Sequence, residues 1–357
     1  MRDSAVRDHH SASTGGREPG YRAPAGVPAR THARKQPDRV EPLRGHAVTP
    51  VLAVDLGKTG CRGSLRVDGE QAVLVEAEGA PGLANTGGVA AAARAVRTVI
   101  DRIAARTGDL TVSVGAAGAA SAPDAARQLA RELGEIEGVR QVAVTSDAVT
   151  AHAGALGGAC GVVLAMGTGV VATAIDTAGN FTRVDGWGPL LGDEGSGGWI
   201  GLEGLRAVLR AHDGRGPVTE LTGKVGERYR VSVDELPRYL GAQASPASVA
   251  ARFAPTVAAC AATDAVAAHI TATAGQALAR TVLTAIERAG LPRPVPYAIV
   301  GGLVGLGAAL LDPLDTATAG AVERRTPFGD PIDGAALLAL DPTTVFEPLL
   351  TRVSTPG

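Results

Sequence analysis

Cysteine is scarce in this chain, and what there is lies scattered. Cys61, Cys160 and Cys260 stand about a hundred residues apart, with no CxxC pair to hold zinc or an iron–sulfur cluster. Three such thiols fit a reducing, cytoplasmic setting. Long apolar runs are missing too. Nothing approaches the ~20 residues of a membrane span, and no apolar central region marks a signal peptide near the start. Charge of one sign is also lacking: a formal net charge of −2 and a pI near 6.4 give no electrostatic reason to expect nucleic acid or an anionic membrane as partner. A small molecule is the better expectation. His152, His212 and His269 share no metal-ligand spacing and read as structural.

What is present suffices for two domains. The chain has 357 residues, 45% of them hydrophobic and 20% charged, enough to build two cores. Residues 1–48 differ from the rest. They hold Arg, Pro, Gly, Ser and four of the seven histidines with almost no apolar periodicity, and are expected to be a disordered extension.

From residue 49 the pattern becomes regular. "TPVLAVDLG", "GCRGSLRV" and "QAVLVEAEG" read as three strands with glycine-bearing turns. "GVAAAARAVRTVIDRIAARTG" follows as a helix, then "LTVSVGAAG" as a strand, "APDAARQLARELGE" as a helix and "VRQVAVTSD" as a strand. After Ala159 the order begins again with "CGVVLAMGTG", "VVATAIDTAG" and "FTRVDGWG". A long helical insertion over roughly residues 201–290 precedes the strand "PYAIVGG" and a closing helix around "GAALLAL". This is an internal repeat of architecture. It predicts two similar α/β domains, at 49–158 and 159–350, with a ligand cleft between them.

Five stretches are candidates for chemistry. In "VDLGKTGCRGSL", Asp55 ends a strand before a turn of Gly57, Lys58, Thr59 and Gly60. A P-loop would need a glycine where Leu52 stands and a helix after the lysine, so "GKT" is not read as one. The alternatives are a plain hairpin turn and a phosphate clamp whose amides and Thr59 hydroxyl meet phosphate oxygens while Asp55 holds Mg²⁺ through water. "LAMGTGVVATAI" repeats the device with Gly167, Thr168 and Gly169. "VAVTSDAVTAHAG" brings Thr145, Ser146 and Asp147 to a strand end, where Asp147 either faces the cleft or caps the next helix. "AIVGGLVGLG" ends a strand in Gly301 and Gly302, bare backbone on which an adenine ring could rest. The stretch "GWGPLLGDEGSGGWIG" packs seven glycines around Asp193 and Glu194. It reads as a ligand-free turn or as a loop closing on hydroxyls or a metal.

In this order the elements resemble the actin, sugar kinase and heat-shock ATPase superfamily, and within it the N-acetylglucosamine kinase-like branch of BadF/BadG/BcrA/BcrD-type ATPases, over roughly residues 50–340. The resemblance implies two duplicated ribonuclease H-like, actin-type domains with an interdomain cleft and a helical insertion in the second. It implies ATP and Mg²⁺ as cofactors, with "DLGKTG" and "GTG" as the phosphate motifs and "GGL" at 301–303 as the adenosine motif. It further makes Asp147 the base facing a sugar 6-hydroxyl, and places Asn85, Asp193, Glu194, Gly195 and Ser196 on the sugar. Leu56 and Lys58 stand where members of the branch carry glycine, and Val170 and Val171 follow "GTG" in place of its serine. The expected activity is ATP-dependent phosphorylation of an amino sugar, N-acetylglucosamine foremost, with glucosamine and N-acetylmuramic acid as alternatives. A homodimer is compatible with the resemblance. Two other classes remain open: an ATPase that drives a partner enzyme, which would want cluster-binding cysteines, and a sugar sensor without turnover.

Overall fold

The structure is a computed structural model that describes residues 50–68, 70–104 and 109–355. The expected extension at 1–48 lies outside the described residues. In chain order the elements are β1 (Val51–Leu56), β2 (Gly60–Val67), β3 (Glu70–Glu78), α1 (Gly88–Ala104), β4 (Leu110–Ala116), α2 (Pro123–Gly134), β5 (Val139–Ser146) and α3 (Asp147–Leu156). The second series is β6 (Gly161–Met166), β7 (Val170–Ile175), β8 (Phe181–Asp185), α4 (Gly197–His212), α5 (Leu221–Tyr229), α6 (Leu236–Gly241), α7 (Pro246–Ala251), α8 (Ala254–Cys260), α9 (Ala265–Arg288), β9 (Val295–Val300), α10 (Ala308–Thr318), β10 (Val322–Arg325), α11 (Pro331–Leu340) and β11 (Thr351–Ser354).

The duplication is explicit in the sheets. The first runs β11-β5-β4-β1-β2-β3 and the second β10-β9-β6-β7-β8. In each, three antiparallel strands are extended by two that run parallel to the first of them. The helices α4 to α9 fill, in the second series, the place that α1 holds alone in the first. Their apolar faces join Val162, Leu164 and Ala172 of the second sheet in one core, while α1 and α2 cover Leu52, Val54 and Val112 of the first. The unbroken apolar run Val51–Val54 in β1 and that of β6, where alternation fails, follow from cover on both faces.

Two features depart from the expected linear division. α10 and the edge strand β10 lie between the strand read from "PYAIVGG" and the closing helix, where the sequence pattern marks neither. The C-terminal elements also leave the second sheet. α11 packs on β1, β2 and β4 and against α3, and β11 pairs antiparallel with β5. α3 in turn packs on β6 and β9 as well as on the first sheet. The helix after β10 thus leaves its own sheet for the first, while the helix after β5 lies against both. They touch backbone to backbone: a Cβ on Gly334 would stand 1.9 Å from Thr150 O, and one on Gly154 would stand 2.0 Å from Asp330 O. Only glycine permits that approach.

In both sheets the parallel strands end level. Leu56 pairs with Ala116 and Ala116 with Ser146; in the second sheet Ala165 pairs with Val300. The segments after these strands, which carry the quoted motifs, emerge at the carboxyl ends where α/β proteins gather ligands.

Candidate functional site

After β1 the chain turns through Gly57, Lys58 and Thr59. Gly57 N donates to Gly60 O at 2.9 Å, and Lys58 and Thr59 are exposed. The segment after β3 buttresses this turn, Ala80 N donating to Gly57 O at 3.1 Å. Asp55 precedes the turn and is half-buried. Its Oδ2 accepts from Arg62 Nη2 at 2.8 Å, and its other oxygen has no hydrogen-bond partner among the described residues. The Lys58 side chain reaches back over the same segment, its Cε 3.9 Å from where a Cβ on Gly82 would be.

Asp147 opens α3 without capping it. The cap is Ser146, whose Oγ accepts from Val149 N at 3.3 Å, while Asp147 Oδ1 accepts from Ala148 N at 2.9 Å. Burial pushes the Asp147 carboxyl above the usual aspartate range. The Asp55 charge pushes it the same way, and the Ala148 amide and the Lys58 ammonium oppose them. Asp55 and Lys58 thus both lie within electrostatic reach of Asp147. Thr145 is committed elsewhere, its hydroxyl donating to Leu349 O at 2.7 Å.

Asn85 is exposed in the segment between β3 and α1, which Leu83 N fastens to the end of β4 through Ala117 O at 2.9 Å. Its side chain has no partner among the described residues.

The second turn is tighter. Gly167 N donates to Gly169 O at 2.8 Å and Thr168 is exposed. The first amides of α4 lock it from behind, Gly197 N to Gly167 O at 2.8 Å and Gly198 N to Thr168 O at 3.0 Å. Gly301 lies against it with φ 100°, in a place where a Cβ would be 2.3 Å from Met166 O. A Cβ on Gly302 would meet nothing within 4 Å, so the backbone there faces open space.

The acidic pair divides. Asp193 has φ 59° and is only 7% exposed. Its Oδ2 lies 2.6 Å from where a Cβ on Gly169 would be, directly beside the second turn. The Asp193 amide donates to Asp185 Oδ1 at 2.9 Å, but its carboxylate accepts no hydrogen bond among the described residues. Its oxygens keep some contact with solvent and are not occupied by any described protein donor. Glu194 points the other way, exposed and 3.7 Å from Arg280 of α9. Gly195 packs on Ala274 and Leu278, and Ser196 is fully buried as the cap of α4, its Oγ accepting from Trp199 N at 3.2 Å. Of the four residues expected on a sugar from this stretch, Asp193 sits beside the second turn with no described donor on its carboxylate, Gly195 and Ser196 are packed at the start of α4, and Glu194 is at the surface.

Two residues went unnoticed in the sequence. Trp187 is 69% exposed, with the Arg183 guanidinium 4.7 Å from its ring centroid. Arg62 is the cross-strand partner of Asp55, a position that the hairpin reading of "VDLGKTGCRGSL" could have supplied once the register was set.

The model of the BadF/BadG/BcrA/BcrD ATPase family matches residues 52–339. An N-acetyl-D-glucosamine kinase of Dictyostelium discoideum is 42% identical over 93 residues, 26% of this chain and 29% of that protein. An N-acetylmuramic acid/N-acetylglucosamine kinase of Clostridium acetobutylicum is 34% identical over 116 residues, 32% of this chain and 37% of that protein. The chain thus matches well under half the length of these two relatives. Among solved structures, a candidate N-acetylglucosamine kinase from Chromobacterium violaceum superposes with a TM-score of 0.62 at 28% identity, covering 83% of this chain and 100% of that one. A second candidate, from Porphyromonas gingivalis, gives 0.56 at 20% identity over 80% and 98% of the two chains and speaks for the shared fold.

Proposed function

This chain belongs to the BadF/BadG/BcrA/BcrD ATPase family, and from that premise we propose that it transfers a phosphoryl group from ATP to an amino sugar, N-acetylglucosamine at its 6-hydroxyl. The observation that carries the reading is the grouping of Asp147, the first residue after β5, with Asp55 near the end of β1 and Lys58 just beyond it. A carboxylate with a raised pKa suits a base that takes a hydroxyl proton. Phosphoryl transfer asks little else of a protein than positioning and balance of charge.

The placement supports the following roles. The turn amides, Lys58 and the hydroxyls of Thr59 and Thr168 hold phosphate oxygens. Gly301 and Gly302 offer bare backbone to the adenosine. Asp193 and Asn85 meet sugar hydroxyls, which would supply the donors that the Asp193 carboxylate lacks. Asp147 orients the acceptor hydroxyl and receives its proton. Mg²⁺ keeps most of its water and is usually held by one or two carboxylates together with nucleotide phosphates. Asp55, with one oxygen free of protein donors and no cluster of three or more His, Cys, Asp or Glu among the described residues, fits an ion held in that way. When bound with the nucleotide, Mg²⁺ would offset phosphate charge. Both named kinase relatives act on N-acetylglucosamine, which supports this choice of acceptor.

A coupled assay of ATP consumption across amino sugars tests the reading. N-acetylglucosamine is expected to stimulate turnover far above the basal rate and to yield its 6-phosphate by mass spectrometry. Failure of every hexosamine to stimulate turnover would overturn it.

A further inference from the structure

Arg62 joins the phosphate site to the last helix. It stands opposite Asp55 in the β1–β2 register, and its Nη2 donates to Asp55 Oδ2 at 2.8 Å. Its Nη1 lies 3.5 Å from Asp330 Oδ2. Asp330 caps α11: its Oδ1 accepts from Ile332 N at 2.8 Å and from Asp333 N at 3.1 Å, while Asp333 Oδ2 accepts from Asp330 N at 2.8 Å. Such a capping box engages one oxygen of each acid, and the other two are taken by arginines of β2. Arg62 holds that of Asp330, and Arg66 Nη2 holds Asp333 Oδ1 at 2.5 Å. The two pairs look alike, but only Arg62 reaches on to Asp55.

Stability does not account for this arrangement. The Arg62 side chain is 42% exposed and that of Asp330 47%, and ion pairs so wet contribute little to folding. What the bridge does is fix a carboxylate. Held by Oδ2, Asp55 has one orientation for its remaining oxygen. Arg62, tied at its far nitrogen, is itself held in place.

We propose that Arg62 is a positioning residue for the metal–nucleotide: it holds Asp55 by one oxygen, presents the other to the ion, and is anchored for that task by Asp330 of α11. The proposal rests on the assignment of Asp55 to the Mg²⁺–phosphate site. It opposes a simple competition of charges, in which removing a cation beside Asp55 would tighten the binding of another.

The test is calorimetric titration of the full-length protein with ADP, in Mn²⁺ as a probe of the metal site and in EDTA. Arg62→Gln is expected to weaken Mn²⁺·ADP binding by about tenfold to a hundredfold, the usual effect of losing a residue that orients a metal ligand. Binding of ADP in EDTA should stay within about twofold of wild type. Arg62→Lys should recover part of the loss, since an ammonium can hold one carboxylate but cannot fork between two. Arg66→Gln, which breaks the pair that stops short of Asp55, should leave Mn²⁺·ADP binding unchanged. Tighter or unchanged Mn²⁺·ADP binding by Arg62→Gln overturns the proposal. So does an equal loss in Arg66→Gln, or a wild-type protein whose ADP affinity ignores Mn²⁺. Should Arg62→Gln fail to fold, Asp330→Asn decides: asparagine keeps the cap but gives up the anchor, and unchanged Mn²⁺·ADP binding then overturns the proposal while a weaker one upholds it. None of these readings depends on a sugar, so failure of the sugar assay and failure of the Arg62 proposal are seen separately.

Discussion

Ser146 and Asp147 divide what looked like one task. Ser146 Oγ bonds the Val149 amide and caps α3, whereas Asp147, the next residue, turns its carboxylate to the amide directly after it. The separation makes the two side chains independently testable. Ser146→Ala should cost about 0.5–2 kcal/mol of stability, the worth of a helix cap, and leave the chemical step largely intact. Asp147→Asn should lower kcat by roughly 10²–10⁴ while nucleotide affinity stays within a few-fold. A folded Asp147→Asn protein that phosphorylates its sugar at near the wild-type rate would remove Asp147 from the mechanism.

The pH dependence follows from the same residue. A base must be ionised to act, and the Asp147 carboxyl titrates above the ordinary aspartate value of 3.8 because it is buried and near Asp55. The acid limb of kcat/KM is therefore expected at higher pH than an ordinary aspartate would give. Stability has the opposite sense: a group whose pKa is raised by folding stabilises the fold below its unfolded pKa and loses that contribution as pH rises through the folded value. At neutral pH the ionised Asp147 costs stability, so Asp147→Asn should melt no lower than wild type there. That advantage should vanish in acid, as thermal melts from pH 3 to pH 8 would show.

Asp193→Asn should raise the KM for N-acetylglucosamine by about tenfold to a hundredfold, because a charged acceptor for substrate hydroxyls is lost, and leave ATP affinity nearly unchanged. Asparagine is the right replacement, since it tolerates the left-handed backbone at φ 59°. An unchanged sugar KM would leave the buried carboxylate without a substrate role.

Glu194→Ala gives the contrasting result. With its carboxylate exposed beside Arg280, the expected change is less than about 0.5 kcal/mol in stability and less than about twofold in sugar KM. A large rise in that KM would show that the side chain swings inward with substrate bound.

Gly301→Ala should destabilise by about 1–3 kcal/mol, because alanine is strained at φ 100° and its Cβ would collide with Met166 O. ATP affinity should fall with it. An alanine protein with wild-type melting temperature would show that the end of β9 can move away from β6.

Much of this was legible in the sequence, where the signals are local. Strands such as "VLAVDL" and "VVATAI", separated by glycine turns, announce themselves over a few residues, and their repetition revealed the duplication. Asp55, Asp147 and the glycine turns were legible because they end such strands. The partition of Asp193 from Glu194 was not, since Asp193 is itself left-handed and so sends two adjacent side chains to different neighbours. Nor was β11, whose four residues pair with a strand that closed some two hundred residues earlier in the chain. Arg62 and Asp330 meet only because α11 lies on the first sheet, and no local pattern near either residue records that.

The place of α11 on the first sheet bears on the order of synthesis. During synthesis β1, β2 and β4 leave the ribosome early, yet the helix that covers one of their faces is encoded at residues 331–340, after the whole second sheet. Ala53 of β1, fully buried in the finished protein with Ile332, Ala335 and Ala336, stays without those neighbours until then. The α11 side of the first sheet can thus be covered, and Arg62 given its Asp330 anchor, only after the second sheet has been made.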